Sequence, residues 1–222
     1  MNDTDPTSDT IPASASAPAS APASASGRRR PREWRVVDVI VASVISVAVG
    51  VIFWAWSAGY AGIAVLTAAF PPLSGLYGGG WLIAGVIGGL IIRKPGAALY
   101  CEVLAAVVEA MLGSAFGLIV VISGLVQGIG AELVFAVFGY RRFTLPVAVL
   151  AGFVSGVFMG VHGTLTYHVA WAFEWQLLYV VLGAVSGAVV AGFLSWVGVR
   201  ALSRTGALSN LAARRAHTER AL

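Results

Sequence analysis

Three acidic side chains interrupt otherwise apolar stretches of this 222-residue chain: Glu102, Glu109 and Glu132. A charged side chain at the centre of a bilayer costs about 2.5–3.5 kcal/mol on insertion scales, so each needs a partner or water. No Lys or Arg interrupts the same stretches. We therefore expect these carboxyls to be protonated, hydrogen-bonded to polar groups, or available to a cationic ligand. Glu102 and Glu109 are seven residues apart, which places them on one helix face, two turns apart.

A second set of residues suited to ligand binding is aromatic, and it gathers beside two apolar stretches. Its members are Trp54, Trp56, Tyr60, Tyr77 and Trp81, followed later by His162, Tyr167, His168, Trp171 and Trp175. Aromatic residues often form an anchoring belt at a membrane interface. Placed above buried carboxylates, they also suit a flat, nitrogen-containing, cationic ligand through stacking and cation–π attraction. His162 and His168 are poorly spaced to share one metal ion, so we expect no metal site.

The overall composition of the chain is that of a membrane protein. The chain is 58% hydrophobic and 11% charged, whereas a soluble domain has about 25% charged residues. A single cysteine, Cys101, excludes a disulfide-linked secreted scaffold. The net charge of +4 does not indicate a nucleic-acid partner, because the basic residues border the apolar stretches. We therefore expect a protein that crosses the lipid bilayer several times.

Six apolar segments are long enough to cross a bilayer, which takes about 20 helical residues. They are predicted at 36–58, 76–92, 97–113, 116–139, 145–168 and 176–202. The short stretch 59–75 ends in Phe70-Pro71-Pro72, which favours a loop or re-entrant segment over a seventh span. The predicted fold is an all-α six-helix bundle over 34–203. Residues 1–33 are predicted to form a disordered Ala/Ser/Pro-rich and basic tail, and 204–222 a basic C-terminal tail.

The basic residues predict the orientation of the bundle. All 14 Lys and Arg residues lie in the tails, at the adjoining helix ends, or in the turns at 93–94 and 141–142. The alternate loops, 59–75, 113–116 and 169–175, contain none. This positive-inside distribution predicts a cell-membrane protein with both termini cytoplasmic. The aromatic set and Glu109 then lie toward the outer side.

Small residues at four-residue spacing mark helix faces that allow close packing. On the last two predicted spans we expect packing within the protein, at Gly152, Gly156 and Gly160 and at Gly183 and Gly187. The first span carries a similar face at Ala42, Ser46 and Gly50, for which a partner subunit is an open alternative.

Motifs of membrane-associated enzymes are absent from the sequence. The only lysine, Lys94, is followed by proline, so no phosphate-binding loop of the G-x-x-x-x-G-K-[ST] type exists. Asp38 is the sole aspartate after residue 9, which excludes an Asp-rich prenyltransferase motif, and Ser155 lacks the glycine two residues earlier that an intramembrane serine protease would need. We expect no catalytic residue and no cofactor in this chain.

The region 92–132 resembles the signature of a known family. It contains Ile92-Arg93-Lys94-Pro95-Gly96-Ala97-Ala98, then Glu102, Glu109 and Leu112-Gly113-Ser114, then Gly124 and Gln127-Gly128-x-Gly130-Ala131-Glu132. This pattern resembles the YkoE-type S components, which are substrate-binding subunits of energy-coupling factor (ECF) transporters. The resemblance extends over roughly 34–203, and the family is associated with thiamine or its hydroxymethylpyrimidine (HMP) precursor.

The resemblance implies a six-helix S component that binds its vitamin from outside. Its partners would be a transmembrane coupling protein and two ATPase subunits, which use the ATP. It also implies that the small-residue face of the first helix, here Ala42, Ser46 and Gly50, meets the coupling protein. The 59–75 segment would correspond to a loop that closes over the pocket.

The chemistry of thiamine agrees with the candidate residues. A carboxylate can offset the thiazolium cation or accept from the aminopyrimidine amine, while aromatic faces stack on the rings. We predict Glu109 as the principal ligand carboxylate and Gln127 as a hydrogen-bonding partner. Candidate stacking or lid groups are Trp56, Tyr60, Trp81, His168 and Trp171, and Glu102 and Glu132 are candidates for ligand contact or for a structural or coupling role.

A second class of function is also compatible with these features. A stand-alone secondary carrier or channel for a small cationic or aromatic metabolite is the alternative. Such carriers favour inverted repeats with matching broken helices, and no convincing internal repeat is present in the sequence.

Overall fold

The computed structural model describes residues 33–205, and all regular structure in that range is helical. Helix α1 (Val36–Leu66) leads into a 3₁₀ segment (Pro71–Leu82), which continues directly as α2 (Ile83–Ile92). Helices α3 (Ala97–Leu112), α4 (Ile119–Val137) and α5 (Leu145–Thr166) follow. The last long helix consists of α6 (Phe173–Ser186), a π segment (Gly187–Leu194) and α7 (Ser195–Arg204). The predicted tails lie outside the described residues, apart from Glu33, Arg204 and Thr205.

Five helical segments of the described chain are long and apolar enough to cross a membrane. They are Val36–Leu66, Pro71–Ile92, Ile119–Val137, Leu145–Thr166 and Phe173–Arg204. The remaining helix, α3, has 16 residues and carries two carboxylates, and it does not qualify on its own. Helix α3 packs between α1, α2 and α4.

The predicted loop at 59–75 is wrong for most of its length. Helix α1 continues to Leu66 and a single turn then leads to Pro71, where the 3₁₀ segment begins. Nothing between Ser57 and Leu66 stops a helix, because the two glycines there weaken helical structure without breaking it. The effective stop is Pro71-Pro72, since proline disfavours helical geometry in the residue before it.

The small-residue face of α1 packs against α3 inside the chain. Ala42 and Ser46 are fully buried, and a Cβ added at Gly50 would lie 2.6 Å from Val108 Cβ. The Cys101 thiol of α3 lies 3.8 Å from the Ala42 carbonyl oxygen. Within this chain, α3 therefore occupies the face that the resemblance assigns to a coupling protein.

The glycine faces of α5 and the last helix pack on each other, as the sequence predicts. A Cβ added at Gly152 would lie 2.6 Å from the Gly192 amide nitrogen, and one at Gly160 would lie 2.7 Å from Val180 Cα. Ser186, where α6 ends, donates from Oγ to the Leu76 carbonyl and accepts from the Gly79 amide. These contacts fix the 3₁₀ segment against the last helix.

One end of the bundle is held together by the turn between α2 and α3. Lys94 forms an ion pair with buried Asp38 at 2.5 Å, and its ammonium also donates to the Glu33 carbonyl. The Trp34 indole donates to the Pro95 carbonyl at 2.8 Å. The start of α1 is thereby attached to the start of α3. The opposite end is formed by the segments around residues 66–71, 112–118 and 166–173.

Two glycines provide a matched test of this packing. Gly156→Ala adds a methyl group 2.8 Å from Ala184 Cα, so we expect overpacking of about 1–3 kcal/mol and a melting temperature lower by roughly 2–10 °C in detergent. Gly198→Ala has open space around its Cβ and should be neutral or slightly stabilising. Equal melting temperatures for the two variants would contradict the packing described.

Candidate ligand-binding site

A cavity of about 210 Å³ lies in the half of the bundle opposite the α2–α3 turn. Its wall is formed by α1, α3, α4, α5 and α6, together with the 3₁₀ segment and the loops after α3 and α5. The lining residues are Phe53, Tyr60, Ser74, Gly78, Trp81, Ala106, Glu109, Phe116, Val120, Ser123, Gly124, Gln127, Met159, His162, Gly163, Tyr167, His168 and Tyr179. Apolar and aromatic walls with a few polar groups are typical of small-molecule sites.

Glu109 is the only carboxylate of the cavity wall, and it lies in the last turn of α3. Its Oε1 accepts a hydrogen bond from Ser114 Oγ at 2.8 Å. Its Oε2 is buried and has no hydrogen-bond partner among the described residues, and the same holds for the nearby indole nitrogen of Trp81. No Lys or Arg lines the cavity. The wall therefore places an acceptor and a donor side by side, near enough to interact with each other, although neither forms a hydrogen bond within the described residues.

Aromatic rings from four parts of the chain surround Glu109. Phe116 is central, since its ring centroid lies 5.1 Å from Tyr60, 5.5 Å from Trp81 and 5.7 Å from Tyr167. Tyr60 and Trp81 meet edge to face at 6.0 Å. Such an arrangement offers ring faces and edges to a planar ligand.

The wall across from α3 is polar and comes from α4 and α5. Gln127 lines the cavity, and its backbone carbonyl accepts from Ser155 Oγ at 2.8 Å, which ties α4 to α5. Ser123 Oγ lies 3.5 Å from His162 Nδ1, and Thr166 Oγ1 lies 3.4 Å from His162 Nε2. These groups can both donate and accept hydrogen bonds.

The loop between α5 and α6 places His168 at the cavity. Its ring stacks on Trp171 at 3.9 Å with an interplanar angle of 16°, and Gln176 donates to the His168 and Trp171 carbonyls. Burial lowers the pKa of His168 below its ordinary value of 6.5, and burial raises the pKa of neighbouring Tyr167. The imidazole is therefore neutral at pH 7.

Five of the predicted ligand residues lie on the cavity wall, and four do not. The wall includes Glu109, Gln127, Tyr60, Trp81 and His168. The residues placed elsewhere are Trp56, Trp171, Glu102 and Glu132.

Trp56 and Trp171 pack beside the cavity rather than on its wall. Trp56 stacks on Tyr77 at 4.3 Å, donates from its indole to the Tyr77 carbonyl, and accepts from the Tyr77 hydroxyl at its own carbonyl. It thereby fixes the 3₁₀ segment to α1. Trp171 supports His168 through the stacking contact. The sequence places both beside the site but does not show which layer each ring occupies.

Glu102 is buried between α2, α3 and α4, away from the cavity. It is 1% exposed, and its Oε2 accepts from the Gly85 amide at 2.5 Å. Its Oε1 has no partner among the described residues. Glu102 lies two turns below Glu109 on the same helix face and does not line the cavity, a position that fits the structural or coupling role that the sequence left open beside ligand contact.

Glu132 caps the start of α3 and does not contact the cavity. Its carboxylate accepts from the amides of Gly96, Ala98 and Leu99 and from the Tyr140 hydroxyl, at 2.6–3.2 Å. A carboxylate at a helix N-terminus satisfies unpaired amides and complements the helix dipole. These bonds fit the structural role that the sequence left open for Glu132 beside ligand contact.

Several wall residues have no clear sequence signal. Phe116 lies in a short loop and Met159, Ser123 and Tyr179 lie in apolar helices, where such residues usually serve packing. His162 and Tyr167 belong to the aromatic set noted in the sequence, but nothing in their spacing identifies them as wall residues.

The side chains around the cavity suit an organic ligand better than a metal ion. Within residues 33–205, no three His, Cys, Asp or Glu side chains lie close enough together to hold a metal ion. One carboxylate, two imidazoles, an amide and several rings instead match a planar ligand with amine and ring-nitrogen groups.

The fold is similar to that of known transporter subunits. A crystal structure of an S-component of an ECF transporter superposes with a TM-score of 0.68 at 30% sequence identity, covering 86% of this chain and 99% of that one. The family model for the permease component of an ABC-type cobalt transport system matches residues 37–158. The class defined by fold and site is thus that of an ECF substrate-binding subunit.

A curated relative narrows this class. The chain is 35% identical over 188 residues to YkoE of Bacillus subtilis (strain 168), whose name describes an HMP/thiamine permease protein, covering 82% of this chain and 90% of that protein. The chain belongs to the YkoE family of ECF-transporter S components. It is a multi-pass membrane protein.

Proposed function

We propose that this chain captures thiamine or HMP from outside the cell and delivers it to an ATP-driven ECF coupling module. The observation that carries the proposal is the buried Oε2 of Glu109, which forms no hydrogen bond within the described residues and lies in an aromatic-lined cavity without Lys or Arg. A buried carboxylate without a counter-ion is costly, and a cation or hydrogen-bond donor that arrives with the ligand offsets that cost. The names of the relatives support the same substrate class.

The paired orphan atoms at Glu109 and Trp81 support an aminopyrimidine in particular. An aminopyrimidine has a ring nitrogen that accepts a hydrogen bond beside an exocyclic amine that donates one. Glu109 Oε2 and Trp81 Nε1 are an acceptor and a donor beside each other in the same wall, and neither forms a hydrogen bond within the described residues. The aminopyrimidine is common to thiamine and HMP, and the thiazolium of thiamine would add cation–π attraction to the rings.

The orientation belongs to the same proposal. We place α3 as a sixth membrane-embedded helix, about 24 Å long at 1.5 Å per residue, and both termini in the cytoplasm. The support is the distribution of basic residues, including Arg93, Lys94, Arg141 and Arg142 at the end of the bundle opposite the cavity. The cavity then faces outward, where a scavenged vitamin arrives.

The proposed partners are a transmembrane coupling protein and two cytoplasmic ATPase subunits. The support is membership in the S-component family and the absence of a phosphate-binding loop from the sequence. The partners would use the ATP, and this chain would bind no cofactor and catalyse no reaction.

Reconstituted vesicles test the transport role. Vesicles that contain only this chain should bind labelled thiamine without accumulating it. Addition of an ECF coupling protein, its two ATPases and internal ATP should produce uptake, and a nonhydrolysable ATP analogue should abolish it. Accumulation by this chain alone would contradict the proposal and identify a secondary carrier.

Replacement of the cavity carboxylate should weaken binding. Glu109→Gln removes the negative charge beside the ligand, so we expect a roughly ten- to hundredfold higher Kd for thiamine, measured by calorimetry in detergent. Glu102→Gln is the matched control, since it changes the same group on the same helix outside the cavity. An unchanged Kd in Glu109→Gln would remove Glu109 from the proposed role.

Thiamine binding should weaken in acid because of His168. Burial lowers the pKa of this imidazole, so it stays neutral above pH 6.5 and gains a proton only as pH falls through its lowered pKa. The new positive charge would face a cationic ligand, and we expect binding to weaken progressively as the pH is lowered through that pKa.

The control for this pH effect is His168→Gln, which cannot titrate. Titration of thiamine, Glu109 and His162 is common to both proteins, so the difference between their pH profiles isolates His168. Parallel profiles would show that His168 does not face the bound cation.

A further inference from the structure

Ser114 connects the cavity carboxylate to the loop that follows α3. Its Oγ donates to Glu109 Oε1 at 2.8 Å and accepts from the Phe116 amide at 3.2 Å. A hydroxyl has one donor and two acceptor positions, so both bonds form at once. The bond to Oε1 also fixes the plane of the carboxylate, which leaves Oε2 as the free acceptor.

Apart from Ser114 and Phe116, the loop of residues 113–118 is held mainly by backbone hydrogen bonds of its own turn and of the first turn of α4. Gly113 and Gly117 have left-handed φ values of +91° and +67°, and an added Cβ at either position would contact nothing within 4 Å. Leu118 is 80% exposed, while Ser114 and Phe116 are the partly buried residues of the loop. The Gly117 amide bonds to the Ser114 carbonyl within the turn.

Phe116 is the residue through which the loop reaches the cavity. Its ring touches Tyr60 of α1, Trp81 of the 3₁₀ segment and Tyr167 after α5. Movement of the loop would therefore separate three parts of the aromatic wall at once. The backbone amide of Phe116 is connected to the Glu109 carboxylate through one hydroxyl, that of Ser114.

We propose that Ser114 is a positioning residue that ties the Glu109 carboxylate to the 113–118 loop, so that the loop retains a ligand bound at Glu109. A ligand that donates to Oε2 holds Glu109 in place, and Ser114 passes this constraint to Phe116. The proposal rests on the proposed function only for the identity of the ligand, since Ser114 forms its bonds with other residues of the chain.

Hydrogen exchange of the ligand-free protein tests the connection directly. In Ser114→Ala we expect the amides of 113–118 to exchange about tenfold faster, because the Phe116 amide loses its acceptor, whereas Ser114→Thr should restore slow exchange. In Glu109→Ala exchange should also rise, and adding Ser114→Ala should change it little further, since the two groups act in one path. Ser43→Ala, whose hydroxyl bonds to Tyr100 far from the cavity, is the control.

Ligand kinetics supply the second measurement. In Ser114→Ala we expect thiamine to dissociate about tenfold faster with its association rate changed less than about threefold, and Ser114→Thr should rescue dissociation. Unchanged exchange in Ser114→Ala, or a full further increase in the double variant, would overturn the proposal. If neither thiamine nor HMP binds the wild-type protein, the proposed function fails, while the exchange measurements still decide the role of Ser114.

Discussion

The structure depends on enclosing α3, an apolar helix that carries two carboxylates, in a bundle whose other helices must satisfy its polar groups. The protein supplies hydrogen-bond partners at both ends: Glu132 of α4 caps the first amides, and Ser114 bonds to Glu109 beside the last turn. Between these ends, Glu102 takes the Gly85 amide of α2. Polar groups inside a membrane are tolerated only with such internal partners. These hydrogen bonds therefore fix α2 and α4 against α3.

The glycines beside α3 make this enclosure possible. Gly50 of α1, Gly85 of α2 and Gly124 and Gly128 of α4 all lie against it, and a Cβ at any of them would press on α3 atoms. Small residues allow backbones to approach closely where no hydrophobic force drives helices together. The close approach leaves the cavity as the place where a carboxylate of α3 is exposed to anything other than protein.

The sequence identifies much of this site, but it does not show which side chains line the cavity and which pack behind them. Carboxylates in apolar stretches and a one-sided aromatic set identify Glu109, Trp81 and Tyr60 as wall residues, because few other roles suit those types there. The predicted depth in the membrane favours Glu109 over Glu102 and Glu132 as the ligand carboxylate. The sequence does not show which amides Glu102 and Glu132 bind, since helical spacing gives a face but not the neighbour that supplies an amide. The sequence of 59–66 also does not show by itself whether the helix continues, because the prolines that end it, Pro71 and Pro72, come later in the chain.

The three consecutive glycines of the 3₁₀ segment limit how the chain can vary. A 3₁₀ helix turns 120° per residue, and Gly78, Gly79 and Gly80 accordingly face Met159, Ser186 and Trp56 on three different helices. Deletion or insertion of one residue would rotate the following part of the segment by one third of a turn. Trp81 would then point away from the cavity. Side chains larger than the hydrogen of glycine would collide with the neighbouring helices. Length in this segment is therefore expected to be invariant even where side-chain identity drifts.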